Sequence, residues 1–526
     1  MDMFEQVLIG GRWCASQDAQ GSFRAEDPVR AEAIGPAFPT SGAADIEAAM
    51  RAAIDAADAL SNTPPTQIAD FLEGYAAAIE ADADQLVALA HAETGLPAEP
   101  RLRSVELPRT SNQLRLAAKA VREYAWTDPV IDTHGGLRAH RAPLGKPVLV
   151  FGPNNFPFAF NAIAGSDFAS AIAARNPVIA KAHPSHPATS QRLAQLAHAA
   201  LLEAGLPAAS VQMLYHFGNA LGLAWAGDAH LGAIGFTGSR GGGLALKAAA
   251  DKAGVPIYAE LSSVNPVFLL SGALAERGDA LAQEFFASCT MGSGQFCTNP
   301  GIVIVPADAQ GDVFVSAAKK LFADAEAKVL FSHGVQQNLV RAVNSLREAG
   351  AQVLVGGDAG EGYRYQPSLL GVDSDAFLAH AQRLQAEAFG PVSLIVRADD
   401  AAAMQRIAAS LEGNLTGTIY RATDGSDDAA WQTLAPTLRT KVGRLIANKM
   451  PTGVAVSAAM NHGGPYPSTS HPGFTAVGMP AAIRRFTALH SYDNVPDALL
   501  PMELRNRNPG GVQRLVDGRW MDGDVG

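Results

Sequence analysis

The sequence predicts an α/β protein with a largely parallel sheet, and three observations carry that expectation. From Lys146 onward, short β-rich runs alternate with alanine-rich stretches of helical character. A second region of the same texture follows Ile302. The chain has 526 residues, of which 48% are hydrophobic and 17% charged, enough for two to four globular domains at about 150 residues each.

In chain order, Val7–Trp13 reads as a hairpin closed by Gly10-Gly11. Helical patterns follow over Ala43–Leu60, Gln67–His91 and Pro97–Glu123, the first with Ile46, Met50 and Ile54 at four-residue spacing. Thr63-Pro64-Pro65 separates the first two, and Thr127–Arg141 reads as an extended arm. His134, followed by Gly135-Gly136, is turn chemistry rather than a metal ligand. The sheet runs are Val148–Phe151, Val178–Lys181, Val211–Tyr215, Ala233–Phe236 and Ile257–Glu260. Later strands are expected at Ile302–Pro306, Val353–Val355, Val392–Val396, Leu415–Tyr420 and Gly443–Ala447, with helices over 278–290 and 307–350. A rigid loop at Asn461–Pro467 and a peripheral C-terminal arm close the chain.

Open α/β sheets bind ligands outside the carboxyl ends of their strands, so the loops after those strands carry the functional reading. Gly152–Pro157 holds Asn154 and Asn155 between prolines, and an amide N–H₂ is a donor for a developing oxyanion. Lys181–Pro187 delivers a lysine, His183, Ser185 and His186 into a proline-stiffened turn that could meet a sugar hydroxyl or a phosphate. Phe236–Gly243 is a glycine-rich turn before the helical run Leu244–Ala253, able to present N–H groups to a phosphate, although it lacks G-x-G-x-x-G spacing. Glu260 ends an apolar strand, where desolvation would suit it to general-base work.

Gly292–Gly301 surrounds Cys297 with three glycines and a proline, which keeps a small reactive group uncrowded beside backbone donors. The same loop can equally hold a buried, unreactive cysteine. Cys289, eight residues earlier, reads as packing. Three cysteines without a Cys-x-x-Cys pair suggest neither a disulfide framework nor zinc, and reduced thiols fit a cytoplasmic protein. The acidic N-terminus and the lack of a long apolar run fit neither a signal peptide nor a membrane span. A net charge of −11 without a basic stretch argues against nucleic acid as a partner.

Taken together and in order, these loops resemble the aldehyde dehydrogenase superfamily over essentially the whole chain. Asn155-Phe156-Pro157 is similar to the family's oxyanion motif and Lys181 to its cofactor-ribose lysine. Phe236–Ser239 with Gly243 resembles its cofactor loop, one residue short of the longest spacing. Glu260-Leu261 is similar to its general-base segment, Gly294-Gln295-Phe296-Cys297 to its nucleophile segment, and Glu387-Ala388-Phe389-Gly390-Pro391 to its second ribose motif. The stretches Lys181–Pro184, Ser263–Leu270, Gly294–Gly301 and His462–Pro467 resemble more closely the branch that oxidises 2-oxoglutarate semialdehyde (2,5-dioxovalerate).

The resemblance implies a Rossmann-like cofactor domain over 1–126 and 146–262, an α/β catalytic domain over 263–470, and a small oligomerisation arm over 127–145 and 471–526. It implies Cys297 as nucleophile, Asn155 as oxyanion donor and Glu260 as the base that activates water. Lys181, His183, Ser185, Gly238, Ser239, Gly243, Glu387 and Phe389 are expected at the cofactor, and Phe156 and Phe158 at the substrate. No metal is expected. Many NAD-preferring members carry a glutamate where this chain has Pro184, so NADP is the expected cofactor, with NAD possible. The family's usual Gly-Gly-Lys after the base is Ser262-Ser263-Val264 here. The expected partner is a small aldehyde, in a homo-oligomer of two or four subunits. Two other readings stay open: an NADP-dependent fatty aldehyde dehydrogenase, and a thiol hydrolase with His183, His186 or His462 as base. For a distal carboxylate on the substrate, Arg240, Arg439 or another arginine could serve.

Overall fold

The structure is a computed structural model and describes residues 4–526. Two seven-stranded sheets carry it. The first runs in the order Ile257–Glu260, Ala233–Thr237, Val148–Phe151, Val178–Lys181, Val211–Leu214, Val7–Ile9, Arg12–Cys14. Its first five strands are parallel, and the N-terminal hairpin is added antiparallel. The chain leaves the central strand Val148–Phe151 in one direction and returns on its other side at Ala233–Thr237. A crevice therefore opens beyond the carboxyl ends of these two strands.

The second sheet runs Gln352–Val355, Ser368–Asp373, Val392–Ala398, Ile302–Pro306, Val267–Leu269, Asn414–Tyr420, Val442–Ala447. It is parallel except at Gln352–Val355. Apolar clusters cover both its faces, as a parallel sheet requires. Glu260 forms an isolated bridge with Thr469, so the end of the first sheet is tied to the loop that follows the second. A separate five-stranded sheet joins Thr487–Asp493, Leu137–Pro143, Val130–Asp132, Arg514–Val516 and Arg519–Met521.

Two expected helices are broken. The pattern over Gln67–His91 divides into Pro65–Ala81 and Ala83–Thr94. Asp82 stands between them with its carboxylate on Arg192 at 2.6 and 2.8 Å. The pattern over Pro97–Glu123 begins as an irregular, wide-turned segment because Glu99, which precedes Pro100, takes extended backbone. A regular helix follows only over Leu107–Arg122. The glycine-rich helix, by contrast, starts earlier than its apolar pattern, at Arg240. Ser239 caps it by accepting from the Gly242 N–H at 3.3 Å.

Candidate active site

The helix Ser271–Thr290 ends in a reversal where Gly292, Ser293 and Gly294 all have left-handed φ, 54°, 60° and 68°. At Gly294 a Cβ would lie 2.2 Å from the Gly390 carbonyl, so only glycine lets the nucleophile loop rest on the Glu387–Pro391 segment. The reversal presents Cys297, partly exposed, at the floor of a cleft. Asn265, itself at φ 46°, fixes the loop from below, donating to the carbonyls of Cys297 and Asn299 at 2.8 and 2.9 Å.

His462 Nε2 lies 3.4 Å from Cys297 Sγ and 3.2 Å from Glu260 Oε1. The three groups lie within 4.8 Å of one another. The carboxylate contact is not an aligned hydrogen bond, since both Glu260 oxygens are buried without a bonded partner. Burial pushes the Cys297 thiol well up, and the negative charge of Glu260 adds to this while Arg109 opposes it. The His462 backbone is held by its amide N–H, which donates to Thr475 Oγ1 at 3.0 Å.

Asn155 follows the central strand and is pinned at both ends. Its amide donates to the Gln295 carbonyl at 2.9 Å, two residues before the nucleophile. Its own carbonyl accepts from Arg101 Nη2 at 3.0 Å. Arg101 pairs with Glu106, whose Oε1 also accepts from the Phe158 and Ala159 N–H groups at 2.8 and 3.0 Å. The oxyanion-motif loop is thus tied to the broken start of the Leu107–Arg122 helix.

The cleft has a volume of about 850 Å³, within the range of small-molecule sites. Its wall brings together Asn155, His183, Ser185, Gly238, Ser239, Glu260, Cys297, Glu387 and Phe389. Lys181 is outside that wall, and burial pulls its ammonium down to about 8. Burial pushes the Glu387 carboxyl up to about 7, against hydrogen bonds from Ser262 and the Ser263 N–H. The serine pair in place of Gly-Gly therefore has partners: Ser262 serves Glu387, and Ser263 Oγ donates to Asn265 Oδ1 at 2.9 Å.

Some expected residues lie elsewhere. Gly243 is in the helix, away from the wall, where a Cβ would fall 2.2 Å from Leu261 Cδ2. Its smallness serves helix-on-strand packing. Phe158 is fully buried in the core of the first sheet. Phe156 instead packs edge-on against Phe160 and Phe296, with centroids 5.1 and 5.5 Å apart. Arg240 is paired with Glu412 at 2.7 Å, and Arg439 donates to the Val442 carbonyl at 2.8 Å, so neither is free for a substrate. Arg109, which no motif marks, lies over the Phe160 and Phe156 rings at 5.0 and 5.6 Å.

The model of the family described as "Aldehyde dehydrogenase family" matches residues 13–491. The chain belongs to the aldehyde dehydrogenase family. Alpha-ketoglutaric semialdehyde dehydrogenase 2 of Azospirillum brasilense is 41% identical over 99% of this chain and 100% of its own. Alpha-ketoglutaric semialdehyde dehydrogenase of Acinetobacter baylyi is 36% identical over 98% of each. The crystal structure of PnpE with nicotinamide adenine dinucleotide has a TM-score of 0.79 at 22% identity, covering 93% of this chain and 97% of that one. This last likeness shows the fold.

The site of this aldehyde dehydrogenase does not have the geometry of a thiol hydrolase. A hydrolase histidine meets its nucleophile and its carboxylate through opposite ring nitrogens, whereas His462 turns the same Nε2 to both. His186 is committed to structure, donating through Nε2 to the Pro153 carbonyl at 3.1 Å. His183 Nδ1 accepts from the Ser185 N–H.

Proposed function

We propose that this aldehyde dehydrogenase oxidises 2-oxoglutarate semialdehyde to 2-oxoglutarate, with NADP as the preferred hydride acceptor and NAD as a second one. The observation that carries the chemistry is the placement of Cys297, His462 Nε2 and Glu260 within 4.8 Å at the floor of one cleft. The substrate rests on the two relatives at 41% and 36% identity.

The residues of the cleft fit a nicotinamide dinucleotide. The capped N-terminus at Ser239 offers backbone donors to a phosphate, Glu387 offers acceptors to a ribose, and Phe389 offers a flat apolar face. The His183–Ser185 turn has Pro184 where a carboxylate would repel a 2′-phosphate, which supports NADP. When bound, the nicotinamide supplies the hydride acceptor.

Cys297 Sγ gives its proton to His462 Nε2 and attacks the aldehyde carbon, forming a thiohemiacetal. Asn155 Nδ2, already directed at the nucleophile segment, and the Cys297 N–H hold the oxyanion; such a donor is worth about 10²–10³ in rate. Loss of hydride leaves a thioester on Cys297. Glu260 takes a proton from water, the thioester is hydrolysed, and the acid departs.

In this reading 1–126 with 146–262 binds cofactor, 263–470 supplies the nucleophile, and 127–145 with 471–526 assembles subunits. The edge strand Thr487–Asp493 supports the last assignment, since it leaves Leu489 75% exposed beside an unpaired backbone edge. Among the described residues no helix is long and apolar enough to cross a membrane, and a cytoplasmic location is part of the proposal. A second reading, a fatty aldehyde as substrate, draws on the apolar cluster of Phe156, Phe160, Phe296 and Phe474.

The test is cofactor reduction by wild type and Cys297→Ala with the semialdehyde and with a long-chain aldehyde. Cys297-dependent reduction with the semialdehyde is expected. Reduction with the long-chain aldehyde alone would keep the mechanism and replace the substrate.

A further inference from the structure

We propose that Arg109 binds the carboxylate at the far end of the substrate and so selects aldehydes that carry an acid group. This rests on the substrate reading above and names the residue that would enforce it.

Arg109 Nε and Nη2 form the side-on fork of the guanidinium, and both are buried without any hydrogen-bond partner. A buried cation left unsatisfied is costly, and a protein keeps one where something else completes it. A carboxylate does so with two parallel N–H···O bonds, the arrangement for which arginine is better shaped than lysine. The nearby acid is already spent, because Glu106 accepts from Arg101 and from two backbone N–H groups. Burial depresses the Arg109 guanidinium below the usual arginine range, while the charges of Glu106, Cys297 and Glu260 support it, which places it within electrostatic reach of the reacting groups.

The surroundings fit a substrate end rather than a solvent-facing cation. Arg109 stands over Phe156 and Phe160. Phe160 in turn packs on His462 at 5.9 Å, and Phe156 on Phe296, the residue before the nucleophile. The rings thus connect the guanidinium to Cys297 through an apolar wall that strengthens any ion pair formed inside it. Arg277 carries the same unpartnered Nε and Nη2, but it stands over Tyr420 at 5.6 Å rather than over these rings. Arg444 Nη2 donates to the carbonyls of Pro451 and Gly453, both at 3.1 Å.

The test compares wild type, Arg109→Met and Arg109→Lys on 2-oxoglutarate semialdehyde and on pentanal, which has the same carbon count and no acid. The readout is the ratio of kcat/KM for the two aldehydes, with competitive inhibition by 2-oxoglutarate as a binding measurement. NADPH binding by fluorescence confirms folding. Arg109→Met should lower the ratio about 10–100-fold, mainly through KM for the acid-bearing aldehyde, and weaken 2-oxoglutarate by a similar factor. Arg109→Lys should restore part of both. Should the methionine variant not fold, the lysine variant still lowers the ratio, since a point charge cannot make two parallel bonds. A wild type that favours the acid-bearing aldehyde, with variants that leave the ratio and the inhibition unchanged, would overturn the role of Arg109 alone. A wild type with no preference for the acid would overturn the substrate reading and this proposal with it.

Discussion

His462 Nε2 stands 3.4 Å from Cys297 Sγ, although 165 residues separate them in the chain. In the proposed mechanism that contact gives a thiol pushed up by burial and by Glu260 a place to leave its proton. The carboxylate and the imidazole both lie within 4.8 Å of the nucleophile, and in the proposed mechanism the carboxylate is left for the hydrolytic half of the cycle.

His462→Asn keeps a polar side chain and removes the proton acceptor. Its kcat/KM should fall about 10²-fold or more, and iodoacetamide should alkylate Cys297 more slowly at neutral pH. An unchanged alkylation rate would place the histidine outside thiol activation.

Asn155→Ala removes the amide that now donates to the Gln295 carbonyl. The expected outcome is a fall of about 10²–10³ in kcat with KM changed much less, as for a donor used only in the transition state. Steady-state kinetics with the semialdehyde checks it.

Pro184→Glu places a carboxylate on the turn that carries His183 and Ser185 at the cleft wall. NADP should lose about 10–100-fold in kcat/KM relative to NAD, through repulsion of the 2′-phosphate. Equal use of both cofactors before and after the change would remove this loop from cofactor choice.

Glu387 gives a pH prediction with a definite sign. Its carboxyl is raised in the fold from 4.5 to about 7. Between these values the folded state holds the proton more tightly than the unfolded chain does. The contribution of this group is therefore fully present below about 4.5 and is lost as the pH rises through about 7. The Tm of cofactor-free Glu387→Gln should fall less than that of wild type over this interval. Glu93, raised to about 7 by burial, leaves the variant some of the same slope.

Much of this was legible in the sequence because the chemistry sits at strand ends. Asn155 and Glu260 each lie at or just beyond the end of an apolar run, and Cys297 lies in a loop whose glycines mark it. The runs from Val148 to Glu260 could be read as strands for the same reason. What stayed hidden depends on long-range contact. His462 was visible in a rigid loop and as one of three histidines that could serve Cys297 as base, but nothing local chose it over His183 or His186 or showed which ring nitrogen it would present. Arg109 sits at the start of a helix whose pattern continues unbroken from Pro97, while the extended backbone at Glu99 that resets this helix is invisible to periodicity. The hairpin Ser22–Pro39 is polar on much of its surface and carries no strand signal, yet Phe23, Arg24 and Glu26 reach the cleft. Gly243 matched a cofactor motif, but its neighbours Leu261 and Phe236 explain it by packing.

In the proposed cycle Cys297 carries the substrate as a thioester, which water activated by Glu260 then hydrolyses. Rapid mixing of Glu260→Gln with 2-oxoglutarate semialdehyde and NADP separates formation of the thioester from its hydrolysis. The expected result is a burst of NADPH close to one per subunit, followed by little turnover, with the acyl group found on Cys297 by mass spectrometry. Steady NADPH production at the wild-type rate, or a burst without an adduct on Cys297, would rule this cycle out.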